Sequence, residues 1–510
     1  MNTLSKMVRR TWGFGLVGVM ALVISGSTAG AEERRSDRPN IVFIMADDLG
    51  WGELGSYGQT KIRTPHIDTL ARDGMRFTQH YTGSPVCAPA RCVFMTGLHA
   101  GRAEIRDNRG ATDADGELIE GQYPISADAL TIATVLQRSG YATGAFGKWG
   151  LGPIDSTGAP HRQGFDLFFG YICQRVAHSY YPPHLWRNTE RIPLNENPIP
   201  GHMEQPEGPV RAEDWIGENY APDAILEEAV KFIHANKEQP FFLYLPFIEP
   251  HVALHPPQDL VETYPEEWDD RPYRGQCGYT PHPRPRAAYA ALITSLDNHV
   301  GTILRTLEEL DLADNTLVMF TSDNGPTHDR PADDVFGVGG VDTAFFDSTA
   351  GLRGRKGSLY EGGIRVPLLV RWPGRVEPGS VSDLPSYFPD YFPTFCEVAD
   401  LPVPENLSGI SLLPTITGQG EQAAHDAMVW VFLGYGGQVA VRLGDDKVLR
   451  RNLTQRNPGP WEVYDLAGDP NETTDLAADR PEVIARAEEV FRREITPSEV
   501  FPMTVPGVNP

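Results

Sequence analysis

The chain is short of positive charge. Its 510 residues carry 44 Lys and Arg against 68 Asp and Glu, for a formal net charge of −24. A surface of that sign repels polyanions, which argues against nucleic-acid binding, and any anion the protein takes must be met by a local basic pocket. Long apolar runs are missing too. The stretch from Gly13 to Ile24 is too short to span a bilayer. Lys6, Arg9 and Arg10 precede it and Ala29-Gly30-Ala31 follows, so residues 1–31 read as an export signal whose removal takes the charge from −24 to −27. Arg9-Arg10 could feed a twin-arginine route, but the residues after the pair match that signal poorly. No cysteine follows the run to carry a lipid, so the expectation is an exported protein, periplasmic or secreted, with no stable membrane anchor. Cysteine is scarce: Cys87, Cys92, Cys173, Cys277 and Cys396 are all there are. In an exported chain such a set reads as pairs plus an odd thiol, or as isolated core thiols. Neither an internal repeat nor a coiled-coil heptad is present, which leaves a globular chain long enough for two subdomains.

What is present centres on Cys87-Ala88-Pro89-Ala90-Arg91, followed by Thr96-Gly97. Pro89 favours a helix start. Cys87 then sits at a helix N-terminus, where free N–H groups favour an anion, and Arg91 lies one turn along on the same face. Alone, this also describes a half-buried cysteine beside an arginine. Two buried-strand patterns add to it. Asn40 to Met45 ends in Asp47-Asp48, and Thr316 to Phe320 ends in Asp323-Asn324-Gly325. Ligands of open α/β sheets bind at the carboxyl ends of strands. Three carboxylates and an amide carbonyl form an all-oxygen set that suits Ca²⁺ or Mg²⁺ rather than zinc. Two further segments are basic and glycine-rich, Gly147-Lys148-Trp149-Gly150-Leu151-Gly152 and Gly351 to Pro367 with Lys356. Each is an anion cradle or a flexible surface loop.

Together these stretches resemble the type I sulfatases of the alkaline phosphatase superfamily, from about residue 39 to about residue 495. The resemblance implies an α/β fold, with an alkaline-phosphatase-like mixed sheet sandwiched by helices. It implies a catalytic domain over residues 39–414 and a smaller C-terminal subdomain over 425–510, an antiparallel sheet with one packed helix near Arg480 to Ile495. By the same resemblance Cys87 is converted to formylglycine by a formylglycine-generating enzyme. Asp47, Asp48, Asp323, Asn324 and modified Cys87 hold one divalent cation, Ca²⁺ in preference to Mg²⁺. Arg91, Lys148 and Lys356 meet the sulfate, and His251, at the end of the strand pattern Phe241 to Leu245, meets the leaving-group oxygen, with His255 as the local alternative. One position departs from the pattern. The family's G-K-W-H-L-G segment has Gly150 at its histidine, so another base is needed; His178 is the first choice and His184 the second, unless both are substrate or packing residues. Trp186 and its neighbours are candidates for a sugar subsite. The expected activity is hydrolysis of a sulfated carbohydrate or an aryl sulfate. The alternatives are a phosphatase or phosphonate ester hydrolase of the same superfamily, or a catalytically silent glycan-binding relative.

Overall fold

The computed structural model describes residues 38–328 and 336–508. The export signal expected over residues 1–31 lies outside them. Among the described residues no helix is long and apolar enough to cross a membrane.

A ten-stranded mixed sheet forms the centre. Its strands are β1 (Asn40–Ala46), β2 (Met75–Phe77), β3 (Ala142–Lys148), β4 (Leu167–Tyr171), β5 (His184–Arg187), β6 (Glu190–Pro193), β7 (Phe241–Pro246), β8 (Thr316–Ser322), β9 (Leu368–Arg371) and β10 (Ser380–Ser382). The spatial order is β10-β2-β9-β8-β1-β7-β3-β4-β5-β6. The inner strands β8, β1, β7, β3 and β4 run parallel. Strands β9 and β5 turn antiparallel on either side. Every residue of β1 is buried, because its alternate side chains enter two cores. Ile41, Phe43 and Met45 join one cluster and Val42, Ile44 and Ala46 the other.

Helices cover both faces. Phe43 stacks on Phe94 of α1 (Cys87–Thr96), with ring centroids 4.3 Å apart, and meets Tyr391, the first residue of a later helix (Tyr391–Val398), edge-on at 4.6 Å. The long helix Pro285–Glu309 and the helix Ala221–Asn236 cover the opposite face through Leu292, Leu296, Ile225 and Phe232. Large aromatic contacts of this kind contribute about 3–5 kcal/mol each when judged by truncation to alanine.

A second, four-stranded antiparallel sheet runs Met428–Phe432, Gln438–Leu443, Asp446–Arg451 and Trp461–Asp465. Its alternation serves two buried faces rather than one. Val429, Val431, Val439 and Val441 pack with Ala487 and Phe491 of the final helix, Pro481–Glu494. Trp430, Phe432, Ala440 and Leu449 pack with Tyr81, Leu359 and Ile364 of the larger body. All five cysteines are buried.

Candidate active site

The parallel register of β1 and β8 carries Ala46 level with Ser322, so both strands release their acidic ends at one edge. Consecutive residues in a strand point to opposite faces, yet Asp47 and Asp48 both enter the site. Asp48 adopts the left-handed conformation, φ 67°, which turns the chain between them. Such backbone strain persists only where surrounding contacts hold it. Here Asp48 N donates to Asp323 Oδ1 at 3.2 Å and Leu49 N to Ser322 Oγ at 2.9 Å.

Three cations converge on these carboxylates. Arg91, a turn into α1, donates to Asp323 Oδ2 at 2.8 and 3.2 Å and to the Lys148 carbonyl at 2.5 Å. Lys148, the last residue of β3, reaches Asp47 Oδ2 at 2.5 Å. Lys356 reaches Asp48 Oδ1 at 2.6 Å. Cys87 Sγ lies between the groups, 3.4 Å from Asp47 Oδ1 and 3.5 Å from Lys356 Nζ. Arg91, Lys148 and Cys87 are at most 2% exposed.

Burial at this density separates the two coupled carboxylates. Burial pushes Asp47 up, but Lys148, His251, Arg91 and Lys356 outweigh it and hold the group well below the usual range. Asp323 is pushed up by burial and by the charge of Asp47. Burial, with the Asp47 charge beside it, pushes the Cys87 thiol up to about 12. A thiol in that state is protonated at neutral pH and a poor nucleophile.

The donor set fits a hard cation. Asp47, Asp48, Cys87 and His251 offer ligand atoms within 4.8 Å of one another. Asn324 donates its amide to Asp48 Oδ1 at 2.7 Å and to the Gly325 carbonyl at 2.9 Å, while its buried Oδ1 has no hydrogen-bond partner among the described residues. An orphaned buried carbonyl oxygen is costly unless a ligand meets it. Asp323 is more committed, since both its oxygens already accept.

The structure thus brings together Asp47, Asp48, Cys87, Arg91, Lys148, His251, Asp323, Asn324 and Lys356. His251 Nδ1 lies 2.5 Å from the Val252 carbonyl, and its Nε2 lies 3.7 Å from Asp48 Oδ2. His178 is one ring further out, stacked on His251 with centroids 5.0 Å apart. Three candidates stand elsewhere. His184 and Trp186 both bond Glu120, at 3.0 and 2.9 Å. His255 pairs with Thr280 Oγ1 at 2.5 Å.

At Gly150 a side chain would be strained by a φ of 101°, and the flexible end of Gln174, whose Nε2 lies 2.6 Å from where a Cβ would stand, would have to move aside. That buried amide nitrogen has no partner among the described residues. Sequence reasoning also passed over His202 and Tyr279, which crowd His178 with ring centroids 5.0 and 5.2 Å away. Both come from irregular segments with no period to mark them.

The family model for Sulfatase matches residues 39–401. The chain belongs to the sulfatase family. A second model, for the N-sulphoglucosamine sulphohydrolase C-terminal region, matches residues 354–493. The N-acetylgalactosamine-6-O-sulfatase of Bacteroides thetaiotaomicron is 30% identical to this sulfatase over 517 residues, covering 90% of this chain and 93% of that protein. Human arylsulfatase A is 31% identical over 493 residues, 88% and 85% of the two chains. The crystal structure of Ps i-CgsB superposes with a TM-score of 0.71 at 26% identity, over 89% of this chain and 92% of that one. A phosphonate monoester hydrolase of Agrobacterium radiobacter, at 21% identity and a TM-score of 0.62 over 92% and 100% of the two chains, shares the fold. As a sulfatase the protein hydrolyses sulfate esters.

Proposed function

We propose that this sulfatase is exported through residues 1–31 and removes sulfate from a carbohydrate, with aryl sulfates as surrogates. We propose further that residue 87 works as formylglycine, made from Cys87 by a formylglycine-generating enzyme. The observation that carries this reading is the thiol. Every cation of the site converges on a position where Cys87 itself, raised to about 12, supplies almost no thiolate. Formylglycine hydrate would supply one hydroxyl to attack sulfur and a second whose loss of a proton expels sulfate. A divalent cation, Ca²⁺ in preference to Mg²⁺, would be held by Asp47, Asp48, Asp323, Asn324 and residue 87 and would neutralise charge on the sulfate.

The chain's own residues do the rest. Arg91, Lys148 and Lys356 stay charged, because their carboxylate partners outweigh burial, and they bind and orient the sulfate oxygens. Lys148 and Lys356 now rest on the Asp47 and Asp48 oxygens that would hold the metal, so with that metal bound both ammonium groups would be free to meet the substrate. In its imidazolium form, with Nδ1–H held by the Val252 carbonyl, His251 gives its Nε2 proton to the departing alcohol oxygen and returns to the neutral ring.

A carbohydrate substrate is supported by relatives. One is named for N-acetylgalactosamine 6-O-sulfate, and Ps i-CgsB has been solved with k-i-k-neocarrahexaose bound. The test compares initial rates on matched sulfate and phosphate esters and weighs the peptide containing residue 87. Sulfate preference and the mass loss of CH₂–SH becoming CHO are expected. Full turnover with an unmodified thiol, or faster phosphate hydrolysis, defeats the proposal.

A further inference from the structure

His178, His202 and Tyr279 form a chain of hydrogen bonds whose direction can be read. The backbone N–H of Tyr279 lies 3.3 Å from His202 Nδ1 and donates to it. A backbone N–H can only donate, so Nδ1 of His202 carries its lone pair and Nε2 carries the proton. That Nε2 is 2.8 Å from His178 Nδ1. His178 Nδ1 is therefore the acceptor, and the neutral ring must hold its proton on Nε2. Among the described residues, Nε2 of His178 has no protein acceptor. His251, stacked face to face with His178 at 12°, has the opposite tautomer in its neutral form, since its Nδ1 donates to the Val252 carbonyl.

The arrangement is braced. Tyr279 holds a left-handed backbone, φ 66°, which a bulky residue adopts only under constraint. Its ring lies 4.3 Å from His202 and 5.9 Å from His251, centroid to centroid. Burial, with the charges of His251, Lys148 and Lys356 nearby, pushes His178 well below the ordinary histidine value, and burial lowers His202 as well. Both rings are accordingly neutral at the pH where the tautomer argument applies.

We propose that His178 is a neutral hydrogen-bond donor, presenting Nε2–H to an oxygen of the bound ester, and that His202 is the positioning residue that fixes this tautomer. The proposal rests on the sulfatase reading above and replaces the expectation that His178 is a base. A base needs a lone pair at the nitrogen that faces the substrate, and His202 has placed a proton there. The acceptor is an oxygen of the sulfate group or a hydroxyl of the sugar.

Substitution by glutamine separates donor from base, because a glutamine amide reaches the place of imidazole Nε2, donates, and does not titrate. With the modified, metal-loaded enzyme, His178→Ala is expected to lower kcat/KM by about 100-fold, the scale for losing one oriented donor. His178→Gln should recover most of that loss and leave both limbs of the pH profile in place. His202→Ala should cost about tenfold through His178. His202→Gln, which still donates to Nδ1, should restore activity, and His202→Glu, which only accepts, should not.

Equal losses on a sugar sulfate and 4-nitrophenyl sulfate identify the sulfate group as acceptor; a loss confined to the sugar ester identifies a hydroxyl. Both support the donor role. Equal loss for His178→Gln and His178→Ala, the disappearance of a pH limb in His178→Gln, or unaltered rates in His178→Ala overturns it. Nitrogen chemical shifts of ¹⁵N-histidine-labelled protein give the tautomer without any turnover. A pyrrole-type Nε2 in His178 is expected, and a pyridine-type Nε2 refutes the inference even if no ester is hydrolysed. Absence of wild-type turnover on every ester tried counts instead against the proposed function.

Discussion

Two buried charge clusters of similar make-up flank the segment from Lys356 to Glu361, and they differ in what they leave unmet. At the sheet edge Asp47, Asp48 and Asp323 meet Arg91, Lys148 and Lys356. At the contact with the C-terminal sheet, Lys447 lies 2.9 Å from Glu361 Oε1 and 2.9 Å from Glu472 Oε1, and Arg365 comes within 3.5 Å of Glu361. In both, burial and a like neighbour separate a carboxylate pair. Asp47 lies low and Asp323 high, just as Glu361 lies low and Glu472 high. The difference is in what remains unmet. In the second cluster Glu361 Oε2 takes the Tyr81 hydroxyl, and Glu472 Oε2 takes the Glu361 N–H. Glu472 Oε1 lacks a well-aligned hydrogen bond but has an ammonium beside it. In the first, Asn324 Oδ1 has no partner among the described residues, and Cys87 touches the charges only at 3.4 and 3.5 Å. A charge cluster that closes on itself holds structure together, whereas one with an unanswered acceptor and a loosely held side chain is built for something else.

Substitutions can break this contrast from either end. Cys87→Ala should lower kcat by more than about 10⁴-fold. Because the thiol makes only weak contacts, unfolding free energy should stay within about 1 kcal/mol of wild type. Steady-state rates and urea denaturation on one preparation read both. Lys447→Met should do the reverse. Removing the cation leaves two buried carboxylates without their ammonium, a loss of about 3–5 kcal/mol by urea denaturation. Residual activity per folded molecule should fall far less than in Cys87→Ala.

Removing metal sharpens the comparison at smaller scale. A cation that binds only the folded state adds about 2.7 kcal/mol at a hundred times its dissociation constant. Chelation should therefore lower the melting temperature and abolish turnover, with Ca²⁺ restoring both. In Asp48→Asn the melting temperature should no longer respond to Ca²⁺, whereas in Lys447→Met it still should. A response surviving in Asp48→Asn would place the metal elsewhere.

How much of this was legible beforehand differs between the same two regions. The buried strand β1, its Asp47-Asp48 end, the strand β8 and the helix at Cys87 were readable because each is a local pattern, an apolar run or a helix start followed by polar residues. Lys148 and Lys356 were reachable only through resemblance, since a glycine-rich basic loop has no physical signature of its own. Nothing local predicted Gln174 lying over Gly150, or His202 bonding His178 across 24 residues, because such contacts exist only once loops are packed. The second cluster was invisible for the same reason. Lys447 sits in a strand whose alternation suggests one exposed face, yet it is buried because the C-terminal sheet packs on both sides.

The smallest effect concerns that second cluster and pH. Burial pushes Glu472 up to about 7, with Lys447 opposing and the Glu361 charge reinforcing. A carboxyl whose folded pKa is above its unfolded value of about 4.5 favours the folded state most below that value, and its contribution is lost as pH rises through about 7. Burial sets the direction, and the neighbouring Glu361 carboxylate, which shares the Lys447 ammonium, adds to it. Glu472→Gln should flatten the dependence of stability on pH between about 4.5 and 7 while changing stability at pH 5 by less than about 1 kcal/mol. Urea denaturation at several pH values measures this. The sulfatase site should not take part, because its rate at fixed pH does not depend on Glu472 unless the C-terminal sheet also positions Lys356. A matching fall in kcat for Glu472→Gln would show that the two clusters are one device.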